Sequence, residues 1–110
     1  MTLRQKQSAF LVMVSKLILF AESIGIKVFV NEWYRTIDRQ KELVRQGKSQ
    51  TLKSKHIDGL AVDLIILRGK DVIWDFEAYR PLGDYWEKLG GIWGGSWKTL
   101  KDGVHFQFDK

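Results

Sequence analysis

Ser54-Lys55-His56-Ile57-Asp58-Gly59-Leu60-Ala61-Val62-Asp63-Leu64-Ile65-Ile66-Leu67 is the stretch that decides how this chain folds. From Leu60 onward it is apolar except at Asp63, which predicts a buried strand over 60–67. A carboxylate inside such a strand costs about several kcal/mol unless something pairs with it. A metal ion is one such partner. His56 lies upstream, with Gly59 between the two to let the chain turn. The chain has 2 histidines. The second, His105, stands near the far end in Asp102-Gly103-Val104-His105-Phe106-Gln107-Phe108. These two segments are read as meeting around a zinc ion, with the rest of the chain supporting that meeting.

Outward from this stretch, bulk properties set limits. A chain of 110 residues, 45% hydrophobic and 28% charged, is read as a single domain over 1–110 with one core, and not as a disordered segment. The cysteine count of 0 excludes a disulfide framework and any thiolate metal site, so a transition-metal site must use histidine and carboxylate ligands. The net charge of +5 favours polyanionic surroundings such as acidic cell-wall polymers. Lysine and arginine are scattered, however, and no nucleic-acid motif accompanies them, so no nucleic-acid partner is expected. Phe10 to Ala21 is rich in apolar residues, but Lys16 interrupts it and Glu22 closes it. It predicts a helix, with no membrane insertion and no signal peptide. The expectation is a monomer made in the cytoplasm.

Phe10, Val14, Leu17, Ile18 and Ala21 recur at helical spacing and predict a helix over 3–24, stopped by Gly25. Ile26 to Val30 reads as a short strand, and Asn31 to Thr36 as the segment leaving it. Thr36 then caps a second helix over 37–46 that ends at Gly47. Lys48 to Lys55 is polar and reads as a surface loop. After the 60–67 strand, Arg68-Gly69-Lys70-Asp71 turns into Val72-Ile73-Trp74. Tyr79 to Leu89 predicts a third helix, with Leu82, Tyr85, Trp86 and Leu89 on one side. Gly90 to Trp97 is too rich in glycine for a regular helix. Val104 to Phe108 alternates, with His105 and Gln107 on one face. The sum is an α+β domain with a small, mainly antiparallel sheet and helices packed on it.

A catalytic zinc site has three protein ligands and an open position for water. His56, Asp63 and His105 supply that number. Asp58 is the alternative carboxylate, although its place before Gly59 suits a turn. Asp102 is the candidate base that takes and returns a proton. Residues three apart on a regular strand face opposite ways, so Gly103 must take a turn or bulge conformation for Asp102 to join His105. From the residues alone, Arg35 reads as a surface ion-pair partner and Gln40 as a structural hydrogen-bonding residue.

The chain resembles the M15 zinc peptidases, the D-Ala-D-Ala carboxypeptidase and phage endolysin L-alanyl-D-glutamate peptidase type. Ser54 to Asp63 is similar to the family's S-x-H-x-x-G-x-A-x-D motif at every defined position. Asp102 to Gln107 is similar to its carboxylate-x-x-His-Phe-Gln motif. Trp93-Gly94-Gly95-Ser96-Trp97 resembles a W-G-G-x-W segment, and Tyr34-Arg35-Thr36-Ile37-Asp38-Arg39-Gln40 a Y-R-T-x-x-x-Q segment. The resemblance implies a Hedgehog/D-Ala-D-Ala-peptidase-like fold, zinc on His56, Asp63 and His105, and Asp102 as general base and acid. It implies that Arg35 reaches the cleft, with Ser54 and Trp97 as substrate-binding residues. The implied partner is the peptidoglycan stem peptide, and the implied action is at the wall after holin-like release or lysis. A D,D- or L,D-carboxypeptidase and a catalytically silent wall-binding module are the alternatives. Ser96 stands where members of the lysin branch often carry Asp, which would remove a charge from the cleft wall.

Overall fold

The computed structural model describes residues 1–49 and 53–109. Part of the loop expected over 48–55 therefore lies outside the described residues. Helix α1 (Leu3–Ser23) opens on a capping box, in which the Thr2 hydroxyl accepts from the Gln5 amide and the Gln5 side chain accepts from the Thr2 amide. Its stripe buries Phe10, Val14, Leu17 and Ala21, as the spacing predicts, while Ile18 is half-buried against the same core. Strand β1 (Lys27–Glu32) runs beyond the expected Val30, because a register shift between Val30 and Glu32 keeps it paired. Helix α2 (Ile37–Arg45) starts where Thr36 caps the Arg39 amide.

Strand β2 (Ala61–Arg68) is the central strand. The sheet order is β1, β2, β5 (His105–Gln107), β4 (Ile92–Trp93), with β3 (Asp71–Ile73) also pairing β2, and every pairing is antiparallel. Alternate residues of β2 divide between two faces. Val62, Leu64 and Ile66 point into the core with Phe106, where Phe10, Val14 and Leu17 of α1 meet Leu82 and Trp86 of α3 (Arg80–Lys88). The Phe10 ring meets those of Trp86 and Trp33 edge-on at centroid distances of 5.7 and 5.5 Å. Each such side chain taken from water stabilises the fold by about 1.5–3 kcal/mol. Asp63 lies on the other face, opposite His105 on β5 and paired with Glu32 on β1.

The antiparallel α+β architecture matches the expectation, with three local differences. Tyr79 belongs to a 3-10 turn (Phe76–Tyr79) ahead of α3, and its hydroxyl accepts from Ile66 N–H at 2.9 Å and donates to Ile73 O at 2.6 Å. The glycine-rich segment contains β4 followed by a 3-10 turn, Gly94–Ser96. Val104 lies in a turn, so β5 begins at His105. No helix among the described residues is long and apolar enough to cross a membrane.

Candidate metal centre and active-site cleft

His56 is carried by a single helical turn rather than by a strand. Ile57, Asp58 and Gly59 amides bond the carbonyls three residues back, and the Leu60 amide bonds Lys55 O at 2.9 Å. That closing pattern requires a left-handed residue just before Leu60, and Gly59 supplies it with φ +69. Asp58 is the exposed end of the turn, where its carbonyl accepts from the Gln7 side chain at 2.8 Å. It is not among the residues that converge on the site. The turn delivers a His56 side chain that is almost wholly buried, directly before β2 brings in Asp63.

The structure brings His56, Asp63 and His105 together, with donor atoms within 4.8 Å of one another. His56 Nε2 and His105 Nδ1 each lie 3.2 Å from the same oxygen, Asp63 Oδ1. The remaining ring nitrogens fix the tautomers. His56 Nδ1 is 2.8 Å from the Trp33 carbonyl oxygen, an acceptor only, so this nitrogen holds a proton. His105 Nε2 is 2.8 Å from Gln107 Oε1 and donates likewise. Each neutral imidazole therefore presents a bare lone pair towards a carboxylate oxygen. Two lone pairs facing an anion need a positive charge between them, either two added protons or a cation. Separations of 3.2 Å are close to the edge of a tetrahedron with metal bonds of about 2.0–2.1 Å. A buried set of two imidazoles and one carboxylate without thiolate suits zinc, so the residues present fit a zinc ion.

Without a cation, added protons on the two rings take its place. Burial works against ionised Asp63, but hydrogen bonds from His105 and His56 in their protonated forms overcome it and lower its pKa to about 2. Burial also opposes charge on His105, yet bonds to Asp63 and Gln107 raise its pKa above the usual imidazole value. Asp102 shifts upward, chiefly through burial and then through the negative charge of Asp63.

Asp102 lines the same cleft as the three donors, a space of about 760 Å³. The Asp102–His105 segment is a turn closed by His105 N–H donating to Asp102 O at 3.2 Å, which brings both side chains to one side. Gly103 takes the expected turn conformation and has a second reason to be glycine. Its φ is not in the left-handed region, and a Cβ there would press on the Phe76 ring at 3.2 Å. Gly94 has a related task. Its carbonyl accepts from the amides of both Trp97 and Asp102, at 3.2 and 3.0 Å, and a Cβ on it would lie 2.4 Å from Asp102 O. The W-G-G-x-W segment thus ties down both ends of the loop 97–102.

Arg35 reaches the cleft wall and is mostly buried. It pairs with Glu32, donates to Gln40 Oε1 at 2.6 Å, and reaches Ser54 Oγ at 3.4 Å. Of its five N–H groups, the bonds among the described residues leave one of the Nη2 hydrogens for a ligand. Ser54 Oγ also accepts from the His56 amide at 3.1 Å, so it braces Arg35 and His56 together. Trp97 lines the cleft and packs on the His105 ring at a centroid distance of 5.0 Å. Ser96 is exposed and does not line the cleft, so the expected loss of a wall charge has no counterpart here. Three groups escaped the sequence reading: the Trp33 carbonyl, Glu32, and Gln107 as the partner of His105. Only Gln107 had a signal, its alternation with His105.

The profile of the M15 D-alanyl-D-alanine carboxypeptidase family matches residues 47–108. The L-alanyl-D-glutamate peptidase of Listeria phage A118 is 40% identical over 101 residues, covering 86% of this chain and 34% of that protein. The peptidoglycan L-alanyl-D-glutamate endopeptidase CwlK of Bacillus subtilis is 32% identical over 107 residues, covering 79% of this chain and 64% of that protein. The chain thus spans about a third of the phage relative and under two thirds of the Bacillus one. Among solved structures, the Serratia marcescens L-Ala D-Glu endopeptidase ChiX superposes with a TM-score of 0.66 at 42% identity, covering 76% of this chain and 67% of that one. Since the profile takes in more than half of the sequence, including both histidines, Asp63 and Asp102, the chain belongs to the M15 peptidase family.

Proposed function

We propose that the protein is a zinc peptidase that hydrolyses the L-alanyl–D-glutamate amide of peptidoglycan stem peptides, working at the cell wall as a monomer. The observation that carries this reading is the convergence of His56, Asp63 and His105 in one cleft with Asp102. The names of the similar proteins support the choice of bond.

Zinc held by His56, Asp63 and His105 would supply a Lewis acid to the cleft. The chain's own groups do the rest. Asp102 takes a proton from the attacking water and passes it to the leaving amine nitrogen. A carboxylate in that position can serve both halves of the transfer. The free N–H of Arg35 is directed at the developing oxyanion, and a donor in that role contributes about 3 kcal/mol. Glu32, Gln40 and Ser54 hold Arg35 in place. The Trp33 carbonyl and Gln107 keep the two imidazoles in the tautomers that leave ligand nitrogens bare.

The test pairs metal analysis of the purified protein with mass spectrometry of digested peptidoglycan. Zinc near one per chain and fragments severed between alanine and glutamate are expected. Release of a single terminal amino acid would instead assign a carboxypeptidase, the activity for which the matched family is named. Wall binding with no product of either kind would make the chain a silent binding module.

A further inference from the structure

The cleft gathers lysines that are scattered in sequence. Lys48, Lys53 and Lys55 come from the segment after α2 and Lys98 from the loop 97–102, and all four line the cleft; Lys53 is engaged with a neighbour, which leaves Lys48, Lys55 and Lys98. Among the described residues no carboxylate lies within ion-pair distance of any of them, whereas Arg35 is already paired with Glu32. The described carboxylates of the lining are Asp63 and Asp102, and a divalent ion on the three donors would balance both. The three ammonium groups are then uncompensated. Lys98 also stands on a built element, since the loop is fastened at both ends to Gly94 O and holds Leu100 at φ 49, rare for a residue with a bulky side chain.

We propose that Lys48, Lys55 and Lys98 form an anion-selecting rim, by which the cleft takes stem peptides that keep a free carboxylate outside the reacting amide and discriminates against their amidated forms. The proposal rests on the peptidase reading above. A glutamyl residue beyond the scissile bond has two carboxyl groups, at most one of which continues the chain. The other is an anion when free and neutral when converted to a carboxamide. Lysines act here as mobile point charges, which suits recognition by charge rather than by a fixed two-point geometry.

The experiment uses two synthetic peptides that differ only in carboxylate against carboxamide at that position. Kinetics are measured for the zinc-loaded wild type, for K48Q/K55Q/K98Q, and for K16Q/K70Q/K88Q, which removes the same charge from exposed positions outside the cleft. Wild type is expected to favour the carboxylate peptide by about tenfold in kcat/KM, mainly through KM, and less at high salt. The rim variant should bring that ratio to about one to two, and the control variant should keep it. Equal cleavage of the two peptides by wild type, or a preference that survives in the rim variant or vanishes in the control, overturns the proposal.

Calorimetric titration of the Asp102→Asn protein with the same peptides separates this outcome from failure of the peptidase reading. Carboxylate-selective binding, with neither peptide cut by wild type, sinks the assigned bond and leaves the rim standing. Non-selective binding sinks the rim whatever is cleaved, and lysine-dependent capture of polyphosphate in its place assigns these residues to a phosphate polymer.

Discussion

Burial and the neighbouring charge of Asp63 make ionised Asp102 unfavourable in the metal-free fold. A carboxyl group whose pKa is higher in the folded state than its unfolded value of 3.8 opposes folding at any pH where it is ionised. Asp102→Asn is therefore expected to lower turnover by about 10²–10⁴-fold while leaving the melting temperature of the chelated protein at pH 7 unchanged or higher. Calorimetry beside an activity assay checks both halves, and a variant with full turnover would remove Asp102 from the chemistry. Gln107 works one step further out. Losing its acceptor frees the His105 tautomer, so Gln107→Ala should weaken zinc binding by about 10–100-fold in a chelator competition. Much of the site was legible at this scale. An acidic residue in an apolar run is conspicuous, and with two histidines in the chain the candidates were few. The Trp33 carbonyl was not legible, because a backbone oxygen has no residue identity. Nor was Glu32, since its approach to Arg35 depends on the irregular pairing of β1 with β2.

Among the elements, β2 and β3 share a clamp in the Tyr79 hydroxyl, which accepts from Ile66 N–H and donates to Ile73 O. Tyr79→Phe orphans a buried amide, and its expected cost is about 1–3 kcal/mol in chemical denaturation. Burial raises the Tyr79 pKa above 10.0, against a weaker opposing effect of the Ile66 bond. The stabilisation is thus complete below the unfolded value near 10 and is lost as pH rises through the folded one. In the Phe variant that alkaline decline should be smaller, which a stability profile from pH 8 to 11 would show. The helices and long strands could be read because their apolar spacing repeats over several turns or pleats. Strand β4 covers only Ile92–Trp93, too short to show any period. The role of Gly103 was read as conformational freedom, whereas the space it leaves for Phe76 is a tertiary fact that no local pattern carries.

For the molecule as a whole, the metal donors lie on three separate pieces: the 54–59 turn, β2 and β5. An ion bound to all three stabilises only the folded chain. At a free zinc concentration 100 times its dissociation constant the gain is about 2.7 kcal/mol, or roughly 10 °C in melting temperature for a domain of this size. Scanning fluorimetry with and without a chelator should show that shift, and His56→Ala should abolish it. A smaller piece of architecture bears on how such a protein could change. Both ends of the segment 98–101 return to one atom, the Gly94 carbonyl, so the residues between them behave as an exchangeable cassette. Doubling a loop costs only about 0.6 kcal/mol in closure. Two glycines inserted between Thr99 and Leu100 should accordingly leave zinc affinity within about threefold, as read by chelator competition. With this anchor in place, the stretch that carries Lys98 can be rebuilt while His56, Asp63, His105 and Asp102 stay where they are.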